Sequence, residues 1–165
     1  MAKNFSELLR FALIAAVIVI PFRLLVAQPF LVSGNSMFPT FKNNDYLIVD
    51  ELTYRFRAPL HGDVVVFRSP VEPSKYLIKR IIGTPGETIR FAPPNGLFGN
   101  SGFSSDVTLK DGEYFVEGDN RAESFDSRYW GVLPRANIKG RAFVRLWPLT
   151  KIQFLPGATT TTLVP

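Results

Sequence analysis

The sequence lacks cysteine altogether and contains a single histidine, His61. Without cysteine the chain cannot form a disulfide framework, a thiolate metal site or a cysteine nucleophile. His61 stands in a Leu-His-Gly-Asp turn beside no candidate serine, so a serine–histidine pair is not expected either. We interpret His61 as a turn residue, and we expect the protein to need neither a metal nor another cofactor.

Positive charge is in excess but is not concentrated anywhere. The 165 residues have a formal net charge of +5, and lysine and arginine are spread from Lys3 to Lys151. Proteins that bind nucleic acids usually gather their basic residues into a stripe, so we expect no nucleic-acid partner. A diffuse excess fits solubility and attraction to an anionic membrane surface equally well.

The first 28 residues contain a long apolar run. No residue from Phe11 to Phe22 is charged, and the roughly 20 residues from Leu8 to Ala27 are enough to cross a hydrocarbon layer of ~30 Å as a helix. A cleaved signal peptide is the alternative, but no convincing cleavage site follows the run. We predict residues 1–28 as a cytoplasmic start and one transmembrane anchor, because Lys3 and Arg10 favour a cytoplasmic N-terminus.

After Phe30 the pattern is that of β-strands. Short runs rich in Val, Ile, Phe and Tyr are separated by turn residues, and no long stretch has helical periodicity. The runs are Tyr46–Val49, Asp63–Phe67, Tyr76–Ile82, Thr88–Phe91, Glu113–Glu117 and Arg141–Trp147. Their spacing predicts a mostly β domain, an antiparallel barrel or sandwich, over residues 29–155. We expect a long loop at Ala92–Ser105 and a disordered, threonine-rich tail at residues 156–165.

A serine stands in a turn-like stretch from Ser33 to Thr40. Gly34 lets the backbone approach a ligand closely, and Pro39 fixes the path of the chain after the serine. Taken alone, this composition favours a plain turn. Two further stretches favour an exposed, reactive hydroxyl at Ser36.

The first of these stretches is an apolar strand interrupted by Lys79 and Arg80. Alternate side chains of a strand face opposite sides, so Lys79 shares a face with Leu77 and Ile81. Burial lowers the pKa of an ammonium group, and lysine, unlike arginine, can respond by losing its proton. Lys79 is thus a candidate neutral amine near pH 7, with pairing to a carboxylate or extension into solvent as the alternative.

The second stretch is a polar loop at Gly118–Gly131. Its charges nearly balance, with Asp119, Glu123 and Asp126 against Arg121 and Arg128. A solvated turn is the plain interpretation. Two arginines that can form bidentate pairs beside Trp130 favour an ordered loop that positions another group.

Together these stretches resemble the bacterial type I signal peptidases. Ser-Met-x-Pro-Thr at Ser36–Thr40 resembles the nucleophile box of that family, and Lys-Arg-x-x-Gly-x-Pro-Gly-Glu at Lys79–Glu87 resembles its general-base box. Gly-Asp-Asn-Arg at Gly118–Arg121, followed by Ser124 and the Asp-Ser-Arg-Tyr-Trp-Gly run from Asp126, resembles its third signature.

Order and spacing agree with the family over most of the chain, from about Phe11 to Trp147. Gly62–Phe67 matches a further family strand. The segment between Lys79 and Gly118 is short, as in the Gram-positive members that this chain resembles.

The resemblance implies a membrane-bound serine endopeptidase that removes N-terminal signal peptides from exported preproteins through an acyl-enzyme. Ser36 would be the nucleophile, Lys79 the general base, and Ser124 the residue that orients the amine. The loop holding Ser124 would be braced by Asp119, Arg121, Asp126 and Arg128. Gly34 stands where many members have a serine or threonine that contributes to the oxyanion hole. The hole would then depend on the Ser36 backbone N–H, with Gly34 or Ser33 nearby.

The implied substrate is an extended peptide that adds to the sheet as a β-strand. It would lie between the segments before Ser36 and Lys79 and bind to Phe30, Val32, Leu77 and Ile78. Small residues such as alanine would occupy the first and third positions before the cut. The domain would lie on the extracytoplasmic face of the bacterial plasma membrane, with the lipid bilayer as its other partner.

Two rival interpretations remain. The first is a self-cleaving repressor of the SOS response, a class that looks like a serine–lysine enzyme on a related β-fold, but the apolar run and the lack of a DNA-binding helical module argue against it. A catalytically inactive, membrane-anchored module that binds signal peptides is the second. The presence of Ser36, Lys79 and Ser124 together argues against it.

Overall fold

The computed structural model of the chain describes residues 2–25, 27–92 and 105–156. A long helix, α1 (Ala2–Leu25), precedes the domain, and two single-turn helices, α2 (Thr53–Phe56) and α3 (Ser127–Trp130), lie within it. The described strands are β1 (Ala27–Leu31), β2 (Tyr46–Asp50), β3 (Val64–Arg68), β4 (Tyr76–Gly83), β5 (Thr88–Phe91), β6 (Ser105–Thr108), β7 (Glu113–Glu117), β8 (Leu133–Pro134), β9 (Ile138–Trp147) and β10 (Gln153–Phe154).

Most of the strands form one antiparallel sheet. Its order is β1-β2-β9-β3-β4-β7-β8, with β10 added to β9, while β5 and β6 form a separate two-stranded ribbon. The mostly β, antiparallel prediction is therefore confirmed. Within the described residues β1 does not pair with β8, so the strand order is open.

The sheet curls strongly enough to bring distant strands together. In the strand order three strands separate β1 from β4, and in a flat sheet they would lie about 19 Å apart, because neighbours are ~4.8 Å apart. Yet the rings of Phe30 on β1 and Tyr76 on β4 have centroids only 5.3 Å apart. The sheet thus curves like half of a barrel, with a groove between β1 and β4.

The central strand β3 is buried on both faces. Val65 and Phe67 pack with Ile81 in one core cluster, whereas Val64 packs in a second cluster. Alternate side chains of a strand face opposite sides, so a continuous apolar run fits a strand covered on both faces. The second cluster also contains Val32, Met37, Phe41 and Leu47. The chain on both sides of Ser36 is therefore anchored in the core.

All six strands expected from the sequence are present, and their boundaries differ from the prediction by no more than three residues. The strands that were not expected are β1, β6, β8 and β10. β1 begins at Ala27, which the apolar run had assigned to the anchor, and β6 begins at Ser105, the last residue of the expected loop. Most of that loop, residues 93–104, and most of the expected tail, residues 157–165, lie outside the described residues.

Among the helices in the described part of the chain, none is long and apolar enough to cross a membrane. The anchor expected from Leu8 to Ala27 includes Val26, which lies outside the described residues. The anchor stays a prediction.

Candidate active site

Ser36 and Lys79 meet at the groove, although 43 positions separate them in the sequence. The Lys79 Nζ lies 2.7 Å from the Ser36 Oγ and donates a second hydrogen bond, of 3.0 Å, to the Ile78 carbonyl. The lysine side chain is almost completely buried, with 3% exposure. The amine is therefore buried and in direct contact with the hydroxyl of the half-buried Ser36.

Burial is the largest influence on the Lys79 amine and lowers its pKa from 10.5 to about 8. The negative charges of Asp126 and Asp119 act in the opposite direction and raise that pKa. Both hydrogen bonds of the amine go to uncharged oxygens rather than to a carboxylate. Near neutral pH, part of the population therefore has a neutral amine that can accept a proton.

The nucleophile turn is held by its own backbone and by an asparagine. Gly34 has a φ of 91°, in the left-handed region that glycine adopts readily. Its N–H donates a 2.9 Å hydrogen bond to the Asn43 Oδ1. That N–H is therefore engaged in this structure, and the second oxyanion donor stays a prediction.

The polar loop after β7 contacts the backbone of the nucleophile directly. The Asn120 N–H donates to the Ser36 carbonyl over 3.0 Å, and the Asn120 side chain donates to the Asn35 carbonyl over 3.3 Å. Gly118 is packed so tightly that an added Cβ would collide with the Ser36 carbonyl oxygen and the Ser124 Oγ. Asn120 was not among the expected site residues, although it stands inside the Gly-Asp-Asn-Arg motif.

Asp119 joins all three motif stretches. The Arg80 guanidinium binds its carboxylate in bidentate fashion, at 2.8 Å and 2.6 Å, and the Thr40 hydroxyl donates to the same carboxylate. Burial raises the pKa of Asp119, but these hydrogen bonds outweigh burial and hold the pKa below its usual value. Arg80 and Thr40 were not among the expected site residues. The signal that could have revealed Arg80 is its position on the face opposite Lys79.

Asp126 organises the far end of the loop. Its side chain is completely buried and receives two 2.8 Å hydrogen bonds from the Arg128 guanidinium and one of 3.0 Å from the Gly118 N–H. Burial raises its pKa, but the bonds from Arg128 and its neighbours outweigh burial and lower it. Arg128 also donates to the Arg121 carbonyl over 2.8 Å. The Arg121 side chain is largely exposed and pairs with Glu117 at 2.7 Å.

Ser124 lies close to the serine–lysine pair without binding to it. The side chain is 4% exposed and contributes to the low pKa of the Asp126 carboxyl, but no described residue completes a hydrogen bond with its Oγ. The expected bond to the Lys79 amine is not formed, because the bonds of that amine go to Ser36 and Ile78. Ser124 instead packs against Gly118, on the side next to the Ser36 carbonyl.

The groove beside the pair has a volume of about 110 Å³. All four residues expected to bind substrate line it together with Ser36 and Lys79, namely Phe30, Val32, Leu77 and Ile78. On its outer side β4 pairs with β7 only from Arg80 onward, so among the described strands the backbone of residues 76–79 pairs with β3 alone. The groove therefore offers a free strand edge that leads directly to the amine.

Comparison with known proteins agrees with this architecture. The family described as "Signal peptidase, peptidase S26" matches residues 5–100 and 96–147 of the chain. The fold and the site define a serine peptidase. The chain belongs to the signal peptidase family, peptidase S26, and is of the signal peptidase I class, whose members remove signal peptides.

Bacterial and mitochondrial relatives are about equally similar. The probable signal peptidase I-2 of Synechocystis sp. is 36% identical over 171 residues, which cover 93% of this chain and 78% of that protein. The mitochondrial inner membrane protease subunit 1 of Mus musculus is 36% identical over 123 residues, covering 74% of this chain and 71% of the relative. A crystal structure of a signal peptidase I from Enterococcus faecalis covers 52% of this chain and 97% of its own, with 28% identity and a TM-score of 0.40.

The packing of Gly118 makes a direct prediction. Replacing Gly118 with alanine should displace Ser36 or Ser124, and a misplacement of about 1 Å can reduce the rate of cleavage about 100-fold. The measurement is kcat/KM on a signal-peptide substrate, with peptide binding measured in parallel.

Gly112→Ala is the control, because Gly112 has a φ of 76° but no neighbour closer than 3.9 Å to the added Cβ. It should cost about 1 kcal/mol of stability and leave the rate close to that of the parent. Equal rates for the Gly118→Ala variant and the parent would contradict the packing argument.

Proposed function

We propose that the protein is a membrane-bound endopeptidase that removes N-terminal signal peptides from exported preproteins, with Ser36 as nucleophile and Lys79 as general base. The observation that carries the proposal is the 2.7 Å contact between the Nζ of the buried Lys79 and the Ser36 Oγ. A serine hydroxyl is a weak nucleophile until a base removes its proton. Here the buried amine is the base within reach.

The reaction consists of acylation of Ser36 and hydrolysis of the acyl ester, and each of these two stages has two proton transfers. The neutral Lys79 amine takes the proton of Ser36 as the Oγ attacks the scissile carbonyl carbon. The resulting ammonium protonates the departing amine, which is the new N-terminus of the mature protein, and an acyl ester remains on Ser36. Lys79 then takes a proton from water as the water attacks the ester, and the proton returns to Ser36 as the signal peptide leaves as a carboxylate.

An oxyanion forms during acylation and again during hydrolysis of the acyl ester, and it needs hydrogen-bond donors. The proposed donor is the Ser36 backbone N–H, because the Gly34 N–H already binds Asn43. Asp119, Arg121, Asp126 and Arg128 act as structural residues of the Ser124 loop. Ser124 orients the amine once substrate is bound, since its buried Oγ has no other hydrogen-bond partner in the described part of the chain.

The substrate is proposed to bind as an extended strand between β1 and β4. The free edge at residues 76–79 supplies backbone groups for strand addition. Phe30, Val32, Leu77 and Ile78 supply the apolar walls, and the walls accept small residues at the first and third positions before the cut.

The N-terminal segment is proposed to anchor the enzyme in the bacterial plasma membrane by a single span, with the domain outside the cytoplasm. The support is the uncharged run Phe11–Phe22 and the solvent exposure of large apolar side chains such as Phe11, Ile14 and Val17 on α1. An anchor would hold the site where preproteins are tethered and raise their effective concentration.

The nucleophile is tested by replacing Ser36 with alanine. Cleavage of a preprotein should stop, whereas the affinity for an uncleaved signal peptide should persist, because the groove is unchanged. Ser105→Ala, on the remote β5–β6 ribbon, is the control and should cleave normally. Cleavage by the Ser36→Ala protein would refute the serine–lysine assignment. A parent protein that binds peptides but never cleaves them would favour the inactive binding module.

The base is tested by the pH dependence of kcat/KM. Only the neutral amine accepts a proton, so kcat/KM should rise with pH through the Lys79 pKa of about 8 and level off above it. At pH 6 the value should be about one hundredth of the plateau. Asp119→Asn removes a charge that raises this pKa, so the rising limb of this variant should move to lower pH. A profile that is flat between pH 6 and 9 would contradict a lysine base.

The anchor is tested by extraction of membranes with alkaline carbonate. The full chain should stay in the membrane pellet, whereas a variant with Ile14→Arg and Val17→Arg should be released, since each central arginine costs about 3 kcal/mol of insertion free energy. Ser6→Arg, which lies before the uncharged run, is the control and should stay in the pellet. Release of the parent protein by carbonate would show that it is attached only peripherally.

A further inference from the structure

Three side chains form a small structure at the end of the groove that is far from the serine–lysine pair. The rings of Phe30 and Tyr76 meet edge to face, with centroids 5.3 Å apart and planes 67° apart. The Arg68 guanidinium lies 5.7 Å from the centre of the Tyr76 ring, and its Nε donates to the tyrosine hydroxyl over 3.2 Å. We call Phe30, Tyr76 and Arg68 the aromatic clasp.

The clasp spans the groove from one strand to the other. Phe30 belongs to β1 and Tyr76 to β4, the two strands between which the proposed substrate lies, and both residues line the cavity that contains Ser36 and Lys79. Arg68 lies directly opposite Tyr76 in the pairing of β3 with β4, so it holds the tyrosine from the side away from the groove. A peptide that fills the groove must therefore pass these rings.

The spacing of the strand indicates which substrate residue reaches the clasp. Tyr76 is three positions before Lys79 on the same strand, a distance of about 10 Å at ~3.3 Å per residue. The proposed function places the residues before the cut in the groove along residues 76–79, which lead to Lys79, so the bound peptide would run parallel to β4. The scissile carbonyl belongs to the first residue before the cut and lies at Ser36. The peptide residue about three positions before that one therefore meets the rings. That is the fourth residue before the cut.

The chemistry of the clasp selects an apolar side chain. Tyr76 is 39% exposed, so it still has ring surface to cover, and Phe30 is only half-buried. The basic Arg68 behind the ring disfavours a cationic side chain. The sequence just before a small-residue cleavage motif is the end of an apolar region in secretory signal peptides, which supplies such a residue.

We infer that the aromatic clasp is a specificity subsite that binds an apolar side chain at the fourth residue before the cut. The inference rests on the proposed function, because it takes the direction of the bound peptide from the proposed placement of the residues before the cut in the groove. Arg68 acts as a positioning residue, since it holds the Tyr76 ring without contacting the substrate.

The test compares peptides that differ only at the fourth residue, with leucine or alanine there. Their affinities are measured in the Ser36→Ala background of the full chain, so that binding is read without cleavage, and their kcat/KM values are measured in the parent. The parent should prefer leucine about tenfold, the low end for apolar pockets. Tyr76→Ala should reduce the preference to about twofold or less, and Tyr76→Phe, which lacks the bond to Arg68, should give an intermediate value.

Tyr129, which does not line the groove, offers a matched control. Tyr129 is also 39% exposed and packs against Phe125 with centroids 5.1 Å apart, so Tyr129→Ala removes a comparable ring. It should leave the leucine-to-alanine ratio unchanged, whatever it does to the absolute rate. A second control uses peptides that carry leucine or alanine at the sixth residue before the cut. Their leucine-to-alanine ratio should be the same in the parent and in Tyr76→Ala.

Two results would overturn the inference. One is the same leucine-to-alanine ratio in the parent and in the Tyr76 variants, and the other is an equal loss of ratio in Tyr129→Ala. If Tyr76→Ala does not fold, Tyr76→Phe and Phe30→Leu serve as the test variants. A leucine-to-alanine ratio equal to that of the parent in both would overturn the inference. A Ser36→Ala protein that still cleaves would refute the proposed function instead, while the binding ratios would continue to report on the clasp.

Discussion

The site depends on keeping one ammonium group out of water beside one hydroxyl. The shift of the Lys79 pKa from 10.5 to about 8 corresponds to about 3 kcal/mol by which the folded protein disfavours the charged amine. A side chain on an exposed strand would not experience this. Lys79 pairs with Val65 of β3, a strand that is buried on both faces. Its amine contacts Ser36, and the nearby Met37 and Phe41 of the nucleophile segment are buried in the core. The packing that makes the domain stable is thus the same packing that tunes the base.

Two carboxylates close to the amine oppose that tuning, and both are neutralised by arginines. The negative charges of Asp119 and Asp126 raise the pKa of Lys79, because a nearby carboxylate favours the charged amine. Each is bound in bidentate fashion, Asp119 by Arg80 and Asp126 by Arg128. The pairs allow the loop to use buried carboxylates as structural anchors while their effect on the amine stays smaller than that of burial.

Much of this arrangement could be predicted from the sequence. The alternation around Lys79 predicted its burial between Leu77 and Ile81, and the strands were visible because turn residues separate apolar runs. What could not be predicted depends on contacts between segments distant in the chain. The Asn120 bond to the Ser36 carbonyl, the Thr40–Asp119–Arg80 network and the capture of the Gly34 N–H by Asn43 leave no local pattern. The curl of the sheet, which brings Phe30 to Tyr76, likewise arises from twist summed over several strands.

The proposed mechanism depends on the protonation state of Lys79 in the protein without substrate. The most direct measurement is a titration of its Nζ by NMR in the full chain labelled with ¹⁵N-lysine, with the signal assigned by its loss in Lys79→Met. A lysine base at this site should titrate with a midpoint near pH 8, well below the value of about 10.4 for lysine in solution. A midpoint at or above pH 10, as for a lysine in water, would contradict the assignment of Lys79 as the base.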